Sequence, residues 1–261
     1  MLNFLLKAEN ESMVELAIEA KDLVKKFGDL TAVSAFNLRI PKGEIFGLVG
    51  PDGAGKTTTL RMLSTAMEQT AGSAFISGLD VRKDEEKIRD KIGYMPQRFS
   101  LYGDLTVAEN IDFFADLYGV PVAARQKRVE ELLAFTNLAP FVKRRGAQLS
   151  GGMQKKLALA CNLVHTPEIL FLDEPTTGVD PISRREFWRI LYGLSGVTIL
   201  VTTPYMDEAE RCNRVGLIRE GQLLICDTPE NVKNKAGAKT LEEAFIHIVE
   251  GNKSWGCAEN V

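Results

Sequence analysis

Hydrophobic and polar residues alternate with a period of two near the start of the chain, over residues 14–18 and 35–40. This alternation predicts two strands, each with one buried face and one exposed face. Apolar runs of strand length predict the remaining strands. They cover residues 44–49, 73–78, 93–97, 169–172 and 197–202, and a hairpin is predicted over 214–218 and 223–225.

The apolar spacing changes to three and four residues in the middle of the chain, which predicts helices. This spacing is followed by Val107, Ile111, Phe114, Val129, Leu132 and Phe135, with a break at residues 119–121. A charged helix is predicted over 83–91, and another from 58 to about 69–72. Strands and helices alternate on both sides of the middle region. The pattern therefore predicts an α/β core with an antiparallel β portion at its N-terminal end and an all-helical insertion.

The composition is that of an ordinary soluble protein: 261 residues, 45% hydrophobic, with a net charge of −3. This charge gives no general attraction to nucleic acid, so no nucleic-acid partner is expected. The four cysteines are scattered and form no C-x-x-C pair, which argues against a zinc site or a disulfide framework. No apolar run could span a bilayer, and the short apolar start, which Lys7, Glu9 and Glu11 interrupt, does not form a signal peptide. We therefore expect any membrane role to depend on a partner.

The segment from Gly50 to Thr57 fits the P-loop pattern G-x-x-x-x-G-K-[ST], with a predicted strand before it and a predicted helix after it. Backbone N–H groups of such a loop, and of the helix that follows, point at phosphate oxygens. The lysine reaches the β- and γ-phosphates, and the hydroxyl coordinates Mg²⁺. The predicted nucleotide-binding residues here are Gly50, Pro51, Asp52, Gly53, Ala54, Gly55, Lys56, Thr57 and Thr58.

An apolar strand over residues 168–172 ends in two acids, Asp173 and Glu174. A buried strand that ends in this way can bring Asp173 to a Mg²⁺ ion and Glu174 to the attacking water as a general base. On its own, a core strand that meets a charged loop would explain the same residues equally well. The P-loop upstream decides in favour of a nucleotide site, with Thr57 and Asp173 as predicted metal ligands.

Residues 149–154 read Leu-Ser-Gly-Gly-Met-Gln, with an apolar helix pattern after them. Ser150 is a good helix N-cap, and a helix N-terminus with free amides can bind a phosphate. This segment resembles the L-S-G-G-Q signature of the ATP-binding subunits of ABC transporters, although Met153 replaces the usual Gln. The resemblance implies that Ser150, Gly151 and Gly152 contact an ATP held by a second cassette.

The resemblance covers about residues 14–250 and assigns roles to further positions. It implies that Gln97 contacts Mg²⁺, takes part in catalysis and faces the membrane partner, and that residues 178–181 form the D-loop. Phe27 falls where the family places an aromatic ring on adenine, although a core position would explain it as well. Residues 93–97, 179–185 and 240–245 resemble the ABC-2 type exporters most, in particular the YbhF-type multidrug-export branch.

Three segments are expected: an extension over 1–12, a cassette over 13–250 with a helical subdomain at about 98–166, and a tail over 251–261. Met13 is an alternative start. The resemblance implies an ATPase with ATP and Mg²⁺ as cofactors, paired with a second cassette that is identical or different. It also implies attachment to transmembrane permease subunits at the cytoplasmic face of the membrane, for export of a substrate that the sequence does not specify.

One position departs from the family. Pro204 stands where the resemblance implies a switch histidine, and neither His165 nor His247 can replace it; both are expected to be ordinary surface or helix residues. A regulatory nucleotide-binding domain that barely hydrolyses ATP is therefore an alternative. Glu174 argues against it. A soluble ABC ATPase of DNA repair or translation is a third possibility, but the insertion is too short and only one cassette is present.

Overall fold

The computed structural model describes residues 15–98, 101–251 and 256–257. The strands are β1 (Leu16–Phe27), β2 (Leu30–Pro41), β3 (Ile45–Val49), β4 (Ala71–Ile76), β5 (Leu79–Asp80), β6 (Ile92–Met95), β7 (Ile169–Asp173), β8 (Thr198–Thr203), β9 (Arg214–Arg219), β10 (Gln222–Asp227) and β11 (Gly256–Cys257). The helices are α1 (Lys56–Leu63), α2 (Glu85–Arg89), α3 (Val107–Leu117), α4 (Val122–Phe135), α5 (Gly151–Leu163), α6 (Pro181–Tyr192), α7 (Met206–Ala209), α8 (Pro229–Ala236) and α9 (Leu241–Glu250).

An antiparallel sheet in the order β2-β1-β4-β5 forms the N-terminal portion, as predicted. Its first two strands have 12 residues each and are much longer than the predicted ones. Register shifts interrupt the pairing of β1 with β2, and Asp22 and Ala35 have positive φ angles. Each such bulge changes which face a side chain points to, so a strict period of two survives only in short stretches.

The second sheet has the order β11-β10-β9-β3-β8-β7-β6, and five neighbouring strands from β9 to β6 are parallel. Along β7, Ile169 and Phe171 pack into one hydrophobic cluster, whereas Leu170 and Leu172 pack into another. The first cluster fills the space against the antiparallel sheet and α1, and the second lies under the helices α3, α5 and α6. Both faces of the parallel sheet are therefore buried, which explains its continuous apolar runs.

The helical insertion between β6 and β7 contains α3, α4 and α5. Thr106 and Glu109 form a capping box that starts α3, and Pro121 is the N-cap of α4. Two predicted helices are shorter than expected. The helix after the P-loop ends at Leu63 because Thr65 adopts a φ of 60°, and the charged helix has only five residues, of which Ile88 is buried.

The hairpin of β9 and β10 confirms the predicted one. Thr240 caps α9, which packs on α7 and α8 through Leu241, Ala244 and Ile248. His247 lies exposed on α9, as expected, but the expectation for His165 is wrong. Its ring is partly buried, stacks on Tyr118 and bonds the Ile92 carbonyl; burial lowers its pKa below the usual value. Within the described parts of the chain, no helix is long and apolar enough to cross a membrane.

Candidate nucleotide-binding site

The candidate site lies where three neighbouring parallel strands end. In the sheet, β8 lies between β3 and β7, and all three run in the same direction. The P-loop follows β3, Asp173 and Glu174 lie at the end of β7, and Thr203 and Pro204 lie at the end of β8. Residues that are far apart in the sequence are thereby collected at one edge of the sheet, which is where parallel α/β sheets bind their ligands.

The P-loop connects β3 directly to α1, which begins at Lys56. Gly50, its first residue, lies against the neighbouring strand β9. A Cβ atom at this position would come within 2.1 Å of the carbonyl oxygen of Ile218, so only glycine fits. The loop therefore stays close to the sheet, and the free amides at the start of α1 face the cavity.

Lys56 occupies the centre of the site, and its side chain is only 4% exposed. Its ammonium group donates hydrogen bonds to the carbonyls of Gly50 at 2.8 Å and Pro51 at 3.0 Å. It also forms an ion pair with Glu174 at 3.2 Å. A buried ammonium needs such partners to remain charged, and a phosphate oxygen could replace any of them.

Glu174 connects the P-loop to the segment after β6. Its carboxylate pairs with Lys56 through one oxygen and accepts a hydrogen bond from the Gln97 amide through the other, at 2.9 Å. The carboxylate is nearly buried, and the backbone holds a left-handed φ of 46°, which is rare for a residue other than glycine. Lys155 of α5 in turn holds Gln97, because its ammonium group donates a hydrogen bond to the backbone carbonyl of Gln97 at 3.1 Å. Burial lowers the pKa of Lys155.

Asp173 lies behind Glu174 and is completely buried. One of its oxygens accepts hydrogen bonds from the hydroxyls of Thr57 at 2.9 Å and Thr202 at 2.8 Å, while the other oxygen is buried without a partner. An unsatisfied buried carboxylate oxygen beside a hydroxyl is an environment that a hard cation would complete. These residues therefore fit Mg²⁺, and Thr57 and Asp173 are the side chains that would hold it together with phosphate oxygens.

These residues surround an open cavity of about 570 Å³. Seven of the predicted site residues between positions 27 and 58 line it, together with Gln97 and Glu174. The complete lining is Phe27, Leu30, Ala32, Asp52, Gly53, Gly55, Lys56, Thr57, Thr58, Gln97, Glu174, Thr177, Pro204 and Tyr205. Phe27 is 46% exposed, so it is not a core residue. Its ring lines the cavity with the ammonium of Lys25 5.0 Å from the ring centre, and an adenine base could stack on the ring.

The signature residues lie elsewhere on the chain. Ser150 caps α5 by accepting a hydrogen bond from the Met153 amide at 3.3 Å, as predicted. A Cβ atom on Gly152 would meet Ser183 of α6 at 2.5 Å, so close packing of α5 on α6 already requires glycine there. Gly151 has open space around it and lines a second cavity beside Val179, which shares Gln97 and Thr177 with the P-loop cavity. The structure does not bring Ser150, Gly151 or Gly152 to the P-loop cavity of the same chain.

Sequence reasoning missed several residues of the site. Leu30, Ala32, Thr177 and Tyr205 line the cavity. Thr202 bridges the two acids, because its hydroxyl donates to Asp173 and accepts from the Glu174 amide at 3.0 Å. The only signal in the sequence for Thr202 was its position at the end of a predicted strand, and many core threonines share that position.

A sequence model of the family described as ABC transporter matches residues 33–177, which is more than half of the chain and includes both the P-loop and the signature. The chain belongs to the ABC transporter family. The match ends before the segment of Pro204, so this cassette's departure at the switch position lies outside the matched residues.

Relatives of this cassette include ATP-binding proteins named for multidrug transport and drug resistance. It is 44% identical over 242 residues to the probable multidrug ABC transporter ATP-binding protein YbhF of Escherichia coli K12; the match covers 90% of this chain and 42% of that protein. It is 35% identical to the linearmycin resistance ATP-binding protein LnrL of Bacillus subtilis 168, and here the match covers 88% and 75% of the two chains. The cassette therefore spans less than half the length of its YbhF relatives.

Solved structures agree with this assignment. An ATP-binding subunit of an ABC transporter superposes on this cassette with a TM-score of 0.80 at 26% identity, over 89% of this chain and 99% of the other. A dimeric cassette in a post-hydrolysis state with ADP and Pi superposes with a TM-score of 0.73 at 29% identity, over 81% of this chain and 98% of the other. The predictions of the ABC transporter family, of the similarity to YbhF and of the α/β P-loop fold are confirmed.

Proposed function

We propose that this cassette binds and hydrolyses Mg-ATP, and that it energises the export of drugs or other small molecules through separate membrane subunits. The observation that carries the proposal is the cluster of Lys56, Glu174 and Gln97 around one cavity, beside Thr57 and the unsatisfied oxygen of Asp173. The drug-resistance names of the relatives support the export role.

In the proposed reaction, the P-loop amides and Lys56 bind the phosphates, and Phe27 stacks on the adenine. Lys56 then exchanges its ion pair with Glu174 for the charge of the phosphate. This exchange frees the Glu174 carboxylate, still held by Gln97, to accept a proton from the attacking water. Mg²⁺, when bound through Thr57 and Asp173, would neutralise charge that develops on the phosphate oxygens.

The separation of the signature from the P-loop cavity supports a paired arrangement. Ser150 and Gly151 present the free N-terminal end of α5, a 13-residue helix, away from this chain's own phosphates. A second cassette turned to face this one would receive that helix end at its γ-phosphate. The dimeric structures among the relatives support this arrangement, in which each ATP lies between two chains.

A membrane subunit is proposed to dock on the helical insertion beside Gln97. Phe99, which follows Gln97 closely in the sequence and is a candidate for this surface, lies outside the described residues. Leu101 is partly buried against the core, whereas Tyr102 is 48% exposed and its ring meets Phe113 edge-on at 4.6 Å. Leu117 is 66% exposed in the same helix as Phe113. Such a docking surface would hold the cassette at the cytoplasmic face of the membrane.

The test is ATP hydrolysis by the cassette copurified with its membrane subunits, measured with and without Mg²⁺. We expect Mg²⁺-dependent release of phosphate, and cross-linking from Tyr102→Cys to a membrane subunit; Lys83→Cys, at an exposed position of the segment before α2, is the matched control. Hydrolysis without any cross-link from Tyr102→Cys would retain the ATPase and reject the docking surface. The absence of hydrolysis would reject the ATPase.

Pro204 supports a second, narrower proposal about rate. It lines the cavity with Glu174 and Thr177 and has neither an N–H nor a side-chain donor. An ATP held by this P-loop would thus lack a proton carrier at that position, whichever signature faces it. In a pair with a different cassette, this chain would hold its ATP longer while its Ser150 completes the faster site of the partner.

A further inference from the structure

A buried carboxylate lies just outside the candidate site. Glu208, in the short helix α7, is completely inaccessible to solvent. It does not line the nucleotide cavity, and the resemblance gave it no role. A charge in the interior costs several kcal/mol unless it is paired, and an apolar side chain of similar size is often at least as stable. Its presence therefore calls for an explanation beyond packing.

The contacts of Glu208 join three segments of the site. One carboxylate oxygen accepts a hydrogen bond from the hydroxyl of Thr203, at the end of β8, at 2.7 Å. The other accepts from the hydroxyl of Thr176, two residues after Glu174, and forms an ion pair with the guanidinium of Arg184 on α6 at 3.3 Å. Both threonines are buried as well.

The Thr203 hydroxyl connects Glu208 to the wall of the cavity. While it donates to Glu208, it accepts a hydrogen bond from the amide of Tyr205 at 3.1 Å. The intervening residue, Pro204, is thus held in a closed turn, and both Pro204 and Tyr205 line the cavity. Arg184, the ion-pair partner of Glu208, also contacts this turn, because its guanidinium lies 4.7 Å from the centre of the Tyr205 ring.

We propose that Glu208 is a positioning residue for ATP hydrolysis, which sets the turn at Pro204 and Tyr205 against the loop that carries Glu174. Through Arg184 it also connects this wall to α6, the helix that begins at Pro181 next to the D-loop. Glu208 does not line the nucleotide cavity, so its role is one of positioning. It fixes the distance between the turn at Pro204 and Tyr205 and the loop that carries Glu174. This distance decides whether the Glu174 carboxylate can accept a proton from the attacking water. The proposal rests on the ATPase proposed above.

The first test compares Glu208→Gln with Glu210→Gln in the full chain, copurified with its membrane subunits. Gln keeps the size but loses the charge that faces Arg184 and one of the two acceptors for the threonines. We expect kcat to fall about tenfold or more, with the KM for ATP within about twofold, since small misplacements of reacting groups cost up to about 10²-fold. The control removes only a surface ion pair with Lys233 at 3.5 Å and should keep the parent kcat. Equal kcat for parent and Glu208→Gln would overturn the proposal.

The second test covers the case in which Glu208→Gln does not fold. Thr203→Val keeps the shape of the side chain but loses the hydroxyl, and Thr203→Ser restores it. A positioning role predicts a loss of kcat in the first variant and recovery in the second, at similar melting temperatures. If Thr203→Val retains the parent kcat, the proposal fails.

Amide hydrogen exchange separates this proposal from the proposed ATPase. The Tyr205 amide donates to the Thr203 hydroxyl that Glu208 holds, so the peptide that contains this amide should exchange about tenfold faster in Glu208→Gln than in the parent, without nucleotide. An inactive parent would reject the ATPase, while faster exchange would still support the role of Glu208 in holding the turn. Unchanged exchange would reject that role whether or not the parent hydrolyses ATP.

Discussion

The ion pair between Lys56 and Glu174 predicts an unusual effect of neutralising the carboxylate. Glu174 lies 3.2 Å from Lys56, so its carboxylate would compete with a phosphate for the same ammonium group. A charge-assisted hydrogen bond contributes about 1.5–3 kcal/mol. The variant Glu174→Gln removes this competitor while Lys56 keeps its two carbonyl partners. We therefore expect the nucleotide to bind more tightly, by about tenfold and at most about a hundredfold.

Two measurements on the same variant check this reasoning. Calorimetry with a non-hydrolysable ATP analogue and Mg²⁺ gives the Kd, and phosphate release from ATP gives kcat, which should fall about 10²–10⁴-fold if Glu174 is the general base. Glu168→Gln is the matched control, because Glu168 is exposed at the opposite end of β7 and pairs with Lys91. A Kd that is unchanged or weaker in Glu174→Gln would refute the competition. An unchanged kcat would refute the role as base.

The remaining predictions concern the phosphate contact, the base contact and the rate. Lys56→Ala should weaken ATP binding by about 1.5–3 kcal/mol in calorimetry, whereas exposed Lys83→Ala should not; equal affinities for Lys56→Ala and the parent would contradict the role of Lys56. Phe27→Ala should weaken ATP binding by about 1–3 kcal/mol and leave inorganic triphosphate binding unchanged, and an equal loss for both ligands would rule out stacking. Pro204→His should raise the ATPase rate of the isolated chain by up to about 10²–10⁴-fold. The proposal of a slow site fails if the isolated parent chain already hydrolyses ATP at the rate of the full assembly and Pro204→His does not raise that rate.

The residues of the candidate phosphate site could be predicted from the sequence because the chemistry proposed for them is local. The P-loop must place consecutive amides around one anion, so Gly50, Lys56 and Thr57 have to be close in the chain. Asp173 and Glu174 were found for a related reason, since an apolar strand that ends in acids is visible without any tertiary contact. The same locality explains the correct N-cap at Ser150.

The rest of the site depends on contacts that no local pattern records. Thr202 matters because β8 lies beside β7 in the sheet, and Glu208 because three distant segments meet around it. In the sequence, Glu208 belongs to a short acidic stretch of the kind that is typical of solvent-exposed positions. The lengths of β1 and β2 were underestimated for a similar reason: their bulges are stabilised by pairing across the sheet, and a one-residue shift erases the alternation.

The backbone of Glu174 has a consequence for attempts to engineer this protein. A left-handed φ of 46° costs a non-glycine residue about 1–3 kcal/mol, and its nearly buried charge adds to the cost if Lys56 turns toward another partner. Glu174→Gly would relieve this strain, but it would leave the buried Lys56 ammonium without its carboxylate partner, which costs about 3–5 kcal/mol, and it would remove the proposed general base. Libraries designed to make the cassette more robust should hold this position constant and seek their gains elsewhere.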